Sequence, residues 1–222
     1  LLRQRAAGED GDKLSATVCD FCLELFSVLD RGQVCAIIDR FVSRDVAPAT
    51  DNAAVRSKFA FLQRLAQYEN YVALNLLPLD GAITASASAS GKEQKTSHFL
   101  VDMLLRQIDT YSSTEYSEDS RVLCLTTLQD ALLKHDTDQR YSNCDDIETA
   151  IADMYLPFLD TVQHHSEFYD SAHAHSSARL RRLAMFCLAW ILKNCSQDML
   201  VDWLDSDGST EECRAKTRVL LE

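Results

Sequence analysis

Apolar residues recur along this chain at steps of three and four, the spacing that gathers them on one face of an α-helix. Val18, Phe21, Cys22, Leu25, Val28 and Leu29 form the first such face, with Ser15 as its predicted cap. Asp30-Arg31-Gly32 interrupts the pattern, and Gly32 is a candidate for the left-handed position that ends a helix. Val34, Ile37, Ile38, Phe41 and Val42 make a second face, closed by Pro48. Asp51 and Asn52 open a third, which carries Val55, Phe59, Leu62 and Leu65. Tyr68 to Leu79 is apolar but less regular, and Pro78 ends it.

A run of small residues, Thr84 to Gly91, follows and has nothing to bury. Four segments are predicted: a polar N-terminal stretch over 1–13, a helical block over 14–79, a flexible Ala/Ser-rich loop over 80–96, and a second helical block of the same solenoid over 97–222. In that second block Ser97 caps a helix with Phe99, Leu100, Met103, Leu104, Ile108 and Tyr111 on one face. Ser117-Glu118-Asp119 starts the next, with acidic residues that suit the positive end of the helix dipole. It carries Val122, Leu125, Leu128, Leu132 and Leu133, and a polar turn is predicted from Lys134 to Cys144. Ile147, Ile151, Met154, Tyr155, Phe158 and Val162 continue the series, and Pro157 inside them predicts a kink or break. After a polar loop from His164 to Ser177 comes the most apolar helix, with Leu180, Leu183, Phe186, Cys187, Trp190 and Ile191. Ser196 starts a short helix through Trp203, and Ser209 with Glu212 forms a capping box for a last one.

The reading is eight or nine helices in successive antiparallel pairs, with no convincing period-2 strand. The fold class predicted is all-α, as an armadillo- or HEAT-like superhelix, with an irregular helical bundle as the alternative. Composition agrees. The 222 residues include only 6 Gly and 3 Pro, against roughly 12% for the pair in an average chain. Sandwiches and barrels need turns too often for that supply.

Charge narrows the partners. With 34 acidic against 22 basic residues the formal net charge is -12, which repels phosphate backbones and argues against nucleic acid as a partner. Residues 101–150 hold 11 acidic and 4 basic residues, so -7 of the -12 falls there. That stretch is a surface for a basic partner or a solvated face. No apolar run approaches the roughly 18–20 residues of a membrane span. The N-terminus has neither an initiator Met nor a signal-peptide core, so the chain is expected to be an internal fragment. Eight cysteines are too sparse for a stapled secreted scaffold, and a reducing, cytoplasmic setting is expected.

Candidate chemistry is thin. Cys19 and Cys22 form the one CxxC, which as a redox or zinc motif wants a strand-to-helix context or a second ligand pair. Otherwise they are core cysteines of the first helix. His164, His165, His173 and His175 cluster with Glu167 and Asp170, a zinc-capable set or a solvated polar loop. Ser90-Gly91-Lys92 lacks the remaining positions of a phosphate loop. Asp136 with Asp138, and Asp145 with Asp146, sit where capping explains them. Arg179, Arg181 and Arg182 make one basic cluster at a helix start. No nucleophile, base and oxyanion donor assemble. The expectation is no catalytic residue, no cofactor and no metal.

Six short blocks run in order along most of the chain: FSVLDRG at 26–32, NYVALNL at 70–76, SHFLVDMLLR at 97–106, LLKHD at 132–136 with Arg140-Tyr141, MYLPF at 154–158 and AWILKN at 189–194. Together they resemble the dedicator-of-cytokinesis (DOCK) family, in its zizimin-like branch, over its central helical region. The Ala/Ser run at 84–91 and Asp102 depart from the family pattern. The resemblance implies a segment of a guanine-nucleotide exchange factor for Rho-family, Rac-like GTPases. The segment is armadillo-like and stops before the exchange module. It also implies protein partners or self-association, and contact with membranes only through other parts of the parent. An unrelated cytosolic helical-repeat adaptor is the alternative. A redox or zinc protein using Cys19, Cys22 and the His164–His175 loop is the second.

Overall fold

A computed structural model describes residues 9–43, 52–67, 99–113, 115–138, 145–165, 168 and 177–205. The described residues form helices and turns, with no strand among them. In chain order the helices are α1 (Glu9–Leu25), α2 (Arg31–Ser43), α3 (Asn52–Ala66), α4 (Phe99–Ser112), α5 (Glu118–Thr137), α6 (Asp145–Met154), α7 (Phe158–His164), α8 (Ala178–Asn194) and α9 (Gln197–Asp205). The chain divides into two compact units, Leu1–Leu104 and Leu105–Glu222. The fold is all-α.

Local chemistry sets the helix ends. The Ser117 hydroxyl accepts the Ser120 N–H at the start of α5, and Ser177 does the same for Leu180 at the start of α8. Ser196 accepts from Met199 N–H and caps α9. Each satisfies one of the N–H groups that a helix leaves orphaned. Pro157 breaks the sixth apolar face as its sequence position implies. Tyr155 to Pro157 form a turn, and α7 restarts at Phe158.

Other ends differ from the sequence reading. Ser15 lies inside α1, buried, and its hydroxyl donates to the Ser57 carbonyl at 3.1 Å instead of capping. Gly32 does not end α1. That helix stops at Leu25, and Gly32 sits in the first turn of α2, where Asp30 Oδ1 accepts the Gln33 N–H. The polar stretch from Lys134 begins helical, since α5 runs on to Thr137 and Thr137 returns its hydroxyl to the Leu133 carbonyl. The predicted features at Pro48, Tyr68 to Leu79, the 80–96 loop, Ser97 and the Ser209 box lie outside the described residues.

In the first unit α1 packs on α3 and touches α2. Cys19, Cys22, Val34, Ile38, Phe59, Phe61 and Leu65 form its buried core. Two contacts fix the relative direction of α1 and α3. Cys19 Sγ–H donates to the Phe61 carbonyl at 3.8 Å, and Arg64 grips both Asp20 oxygens at 2.6 and 2.8 Å. With Ser15 on Ser57, the partner number rises as the α1 number rises. The two helices therefore run parallel, offset by 42 to 44 residues.

In the second unit α5 is central and buries ten of its residues. It packs mainly on α8, which also covers α6 and touches α7. The Cys187 thiol reaches the Leu125 carbonyl at 4.0 Å, and His135 lies near Trp190, again with both numbers rising together. A third parallel contact joins the α6–α7 stretch to α9. Ser196 N–H donates to Asp153 Oδ1 at 2.8 Å, and Trp203 Nε1–H donates to Asp160 Oδ1 at 2.7 Å. Both pairs are 43 residues apart.

Leu125 is fully buried, whereas Leu133, placed on the same face by sequence, is 39% exposed. Leu125→Ala is expected to cost about 2–5 kcal/mol and Leu133→Ala less than about 1 kcal/mol. Urea unfolding of the two variants measures the difference.

Candidate functional site

Three of the six sequence blocks meet inside the second unit. His135 comes from LLKHD on α5, Tyr155 from MYLPF at the end of α6, and Trp190 from AWILKN on α8. His135 Nε2 and the Tyr155 hydroxyl share a hydrogen bond of 3.2 Å. The His135 ring lies 5.8 Å from the Tyr155 ring and 6.4 Å from the Trp190 ring, both tilted. All three residues are buried. These rings lock three helices at one point, with the His135–Tyr155 hydrogen bond enclosed among them.

Burial lowers the His135 pKa to about 4, with the Lys134 charge adding to the shift and the Asp138 charge opposing it. The ring is therefore neutral at physiological pH. It is too enclosed to meet a substrate and acts as a packing and hydrogen-bonding group.

The cysteine pair has the same character. Cys19 and Cys22 are buried on the face of α1 that meets α3. Burial, helped by Cys22 and Asp20, pushes the Cys19 thiol up to about 12, and burial raises Cys22. Cys35 is pushed up to about 11 and Cys187 is raised further, again chiefly by burial. A thiol held protonated is a poor nucleophile and a poor metal ligand.

The histidine loop is described in part. His164 is exposed at the end of α7. His165 turns inward, 3.6 Å from Asp109 and against the ring of Phe168, which is fully buried. Phe168 is a core anchor inside a stretch that looked wholly polar. Glu167, Asp170, His173 and His175 lie outside the described residues. Among the described residues no three His, Cys, Asp or Glu side chains converge as a metal would need. Asp136 is exposed on the last turns of α5 and Asp138 is its C-cap. Of the basic cluster, Arg179 and Arg182 are exposed at the start of α8, and Arg182 Nε–H donates to the Ala178 carbonyl.

Two carboxylates emerge that sequence spacing did not single out, Asp153 and Asp160. Seven residues apart, they hold the start and the last turn of α9. Their i, i+7 spacing put them on one face, but no sequence signal named the partners.

The comparisons with known proteins agree with what these blocks share. Dedicator of cytokinesis protein 9 from Mus musculus is 31% identical over 153 residues, covering 63% of this chain and 7% of that protein. Dedicator of cytokinesis protein 9 from Homo sapiens is 30% identical over the same length, again covering 7% of that protein. Dedicator of cytokinesis protein 8 from Mus musculus is 25% identical over 209 residues, covering 80% of this chain and 10% of that protein. The chain belongs to the dedicator-of-cytokinesis family. It spans a tenth or less of the length of these curated relatives. No family model matches it, and no solved structure matches it significantly. Within this DOCK-family chain three of the shared blocks build a helix junction.

The depressed His135 pKa fixes a pH dependence. Folding favours the neutral ring, so the unfolded chain takes up this proton first as pH falls. The associated stability is complete above the ordinary histidine value of 6.5 and is lost as pH drops toward about 4. Between pH 7 and pH 5 the wild type should lose about 2 kcal/mol that His135→Gln does not lose. Chemical denaturation of both proteins at the two pH values checks this, and equal losses would contradict it.

Proposed function

We propose that this chain is a non-catalytic scaffold segment of a DOCK-type guanine-nucleotide exchange factor for Rho-family GTPases. Its role is to place the exchange module and to offer helix faces to protein partners. Family membership supports the exchange-factor parent. The observation that carries the scaffold reading is the parallel contact between helices 42 to 44 residues apart, present once in each unit. Stacked two- or three-helix repeats of about 40–47 residues bring like helices together in that direction and at that interval. An up-and-down bundle instead pairs neighbours antiparallel. The segment is thus read as armadillo- or HEAT-like.

The described groups with shifted pKa values support the non-catalytic part. His135, Cys19, Cys35 and Cys187 are buried and owe their shifts chiefly to that burial. No described helix is long and apolar enough to cross a membrane, and the reading places the segment in the cytoplasm. Membrane contact is left to other parts of the parent, and nucleic acid is not a partner of so acidic a chain. Within the family the six blocks favour the zizimin-like branch.

The 222-residue chain is expected to leave the rate of labelled-GDP release from Rac-type GTPases unchanged at tenfold molar excess. A fluorescence release assay reads this, and clear acceleration would end the non-catalytic reading.

A further inference from the structure

Helix α1 carries two apolar seams. Ser15, Cys19 and Cys22 face α3 and are buried. Leu14, Val18, Phe21 and Leu25 follow at steps of four, three and four on an adjoining face, and the turn after the helix adds Val28. Backbone bonds from Phe26, Ser27 and Val28 to the carbonyls three residues earlier carry the helical path through that turn. This second seam is open: Phe21 is 63% and Val28 73% exposed, Leu14 is exposed, and Val18 and Leu25 are half-buried. Steps of three and four sustained over two heptads are the pattern of a helix-packing seam, not of scattered surface residues.

We propose that this outer seam of α1 docks an amphipathic helix of the preceding repeat, lying parallel to α1 as α3 does. The proposal rests on the stacked-repeat reading and extends it. The occupant follows from two observations. Where a seam of α1 is covered, the cover is a parallel helix about 42 residues further along the same chain. The curated relatives also supply ample chain for another such helix, since this sequence spans only 7–10% of their length. Flanking polar positions fit the same docking. Thr17 and Glu24 border the seam and stay exposed, so the occupant is expected to bring a basic or neutral edge beside Glu24. A helix in the interior of a stack touches a neighbour on each side, whereas a terminal one presents a polar outer face. Phe21 and Val28 make α1 a helix of the first kind.

The test compares one substitution in two lengths of the parent protein, the 222-residue chain and the same chain extended upstream by about 90 residues, two repeat lengths. Phe21→Glu should leave the melting temperature of the shorter chain unchanged and lower that of the longer one by about 5 °C or more. No change in either length overturns the proposal. An equal loss in both overturns it too, because the seam is then covered within the 222 residues. So does a concentration-dependent dimer of the shorter chain that Phe21→Glu abolishes, since the occupant is then a second copy. Cys19→Phe, on the inner seam, separates this from failure of the stack itself. It should destabilise both lengths, and its silence would remove the α1–α3 contact on which the proposal stands.

Discussion

Side-to-side contact between parallel helices is the constraint on which the rest of this structure depends. A helix of 10–20 residues is marginal alone in water and gains its stability from an apolar face laid on a neighbour. Here that neighbour is not always the next helix in the chain. α1 finds α3, α5 finds α8, and the α6–α7 stretch finds α9. The intervening helix carries the chain back so that the third can run in the direction of the first. The α1–α3 and α5–α8 contacts bury apolar seams, and directional bonds such as Asp20 with Arg64 or Asp160 with Trp203 set the register of the parallel pairs.

The proposed function rests on what those contacts consume. The residues with the most perturbed chemistry, His135 and the buried thiols, are spent on packing, and burial holds them in their neutral forms. A site for chemistry needs such groups at an open cleft with a partner poised to exchange a proton. The described residues instead place these groups in the core and leave apolar positions such as Phe21 and Val28 exposed, which supports the proposed spacer role.

Much of this was legible from residue order, and the failures have physical causes. Period-3.6 apolar spacing located each described helix, and Ser117, Ser196 and Pro157 marked boundaries where the structure has them. Ser15 misled because a serine at the edge of an apolar run looks like a cap, although acidic residues upstream already continue the helix. Phe21, Val28, Ile37 and Leu133 were counted as core because spacing reports that a face is apolar, not which neighbour covers it. Phe168 was hidden in a polar loop, where a single anchor has no period. The largest omission was which helices touch. Successive antiparallel pairs are the natural guess for short connections. The parallel pairing depends on contacts some 43 residues apart that local patterns do not carry. The family blocks were legible as text, but their meeting point at His135, Tyr155 and Trp190 is visible only in three dimensions.

The direction of α9 on the α6–α7 stretch tests the stacking account most directly. Double-mutant cycles can couple Trp203→Phe first with Asp160→Ala and then with Asp153→Ala. Parallel packing predicts a coupling of about 1.5–3 kcal/mol between Trp203 and Asp160, the value of a hydrogen bond to a charged group. It predicts none beyond about 0.5 kcal/mol between Trp203 and Asp153. The reverse result, coupling to Asp153 and none to Asp160, would place α9 antiparallel and contradict the account.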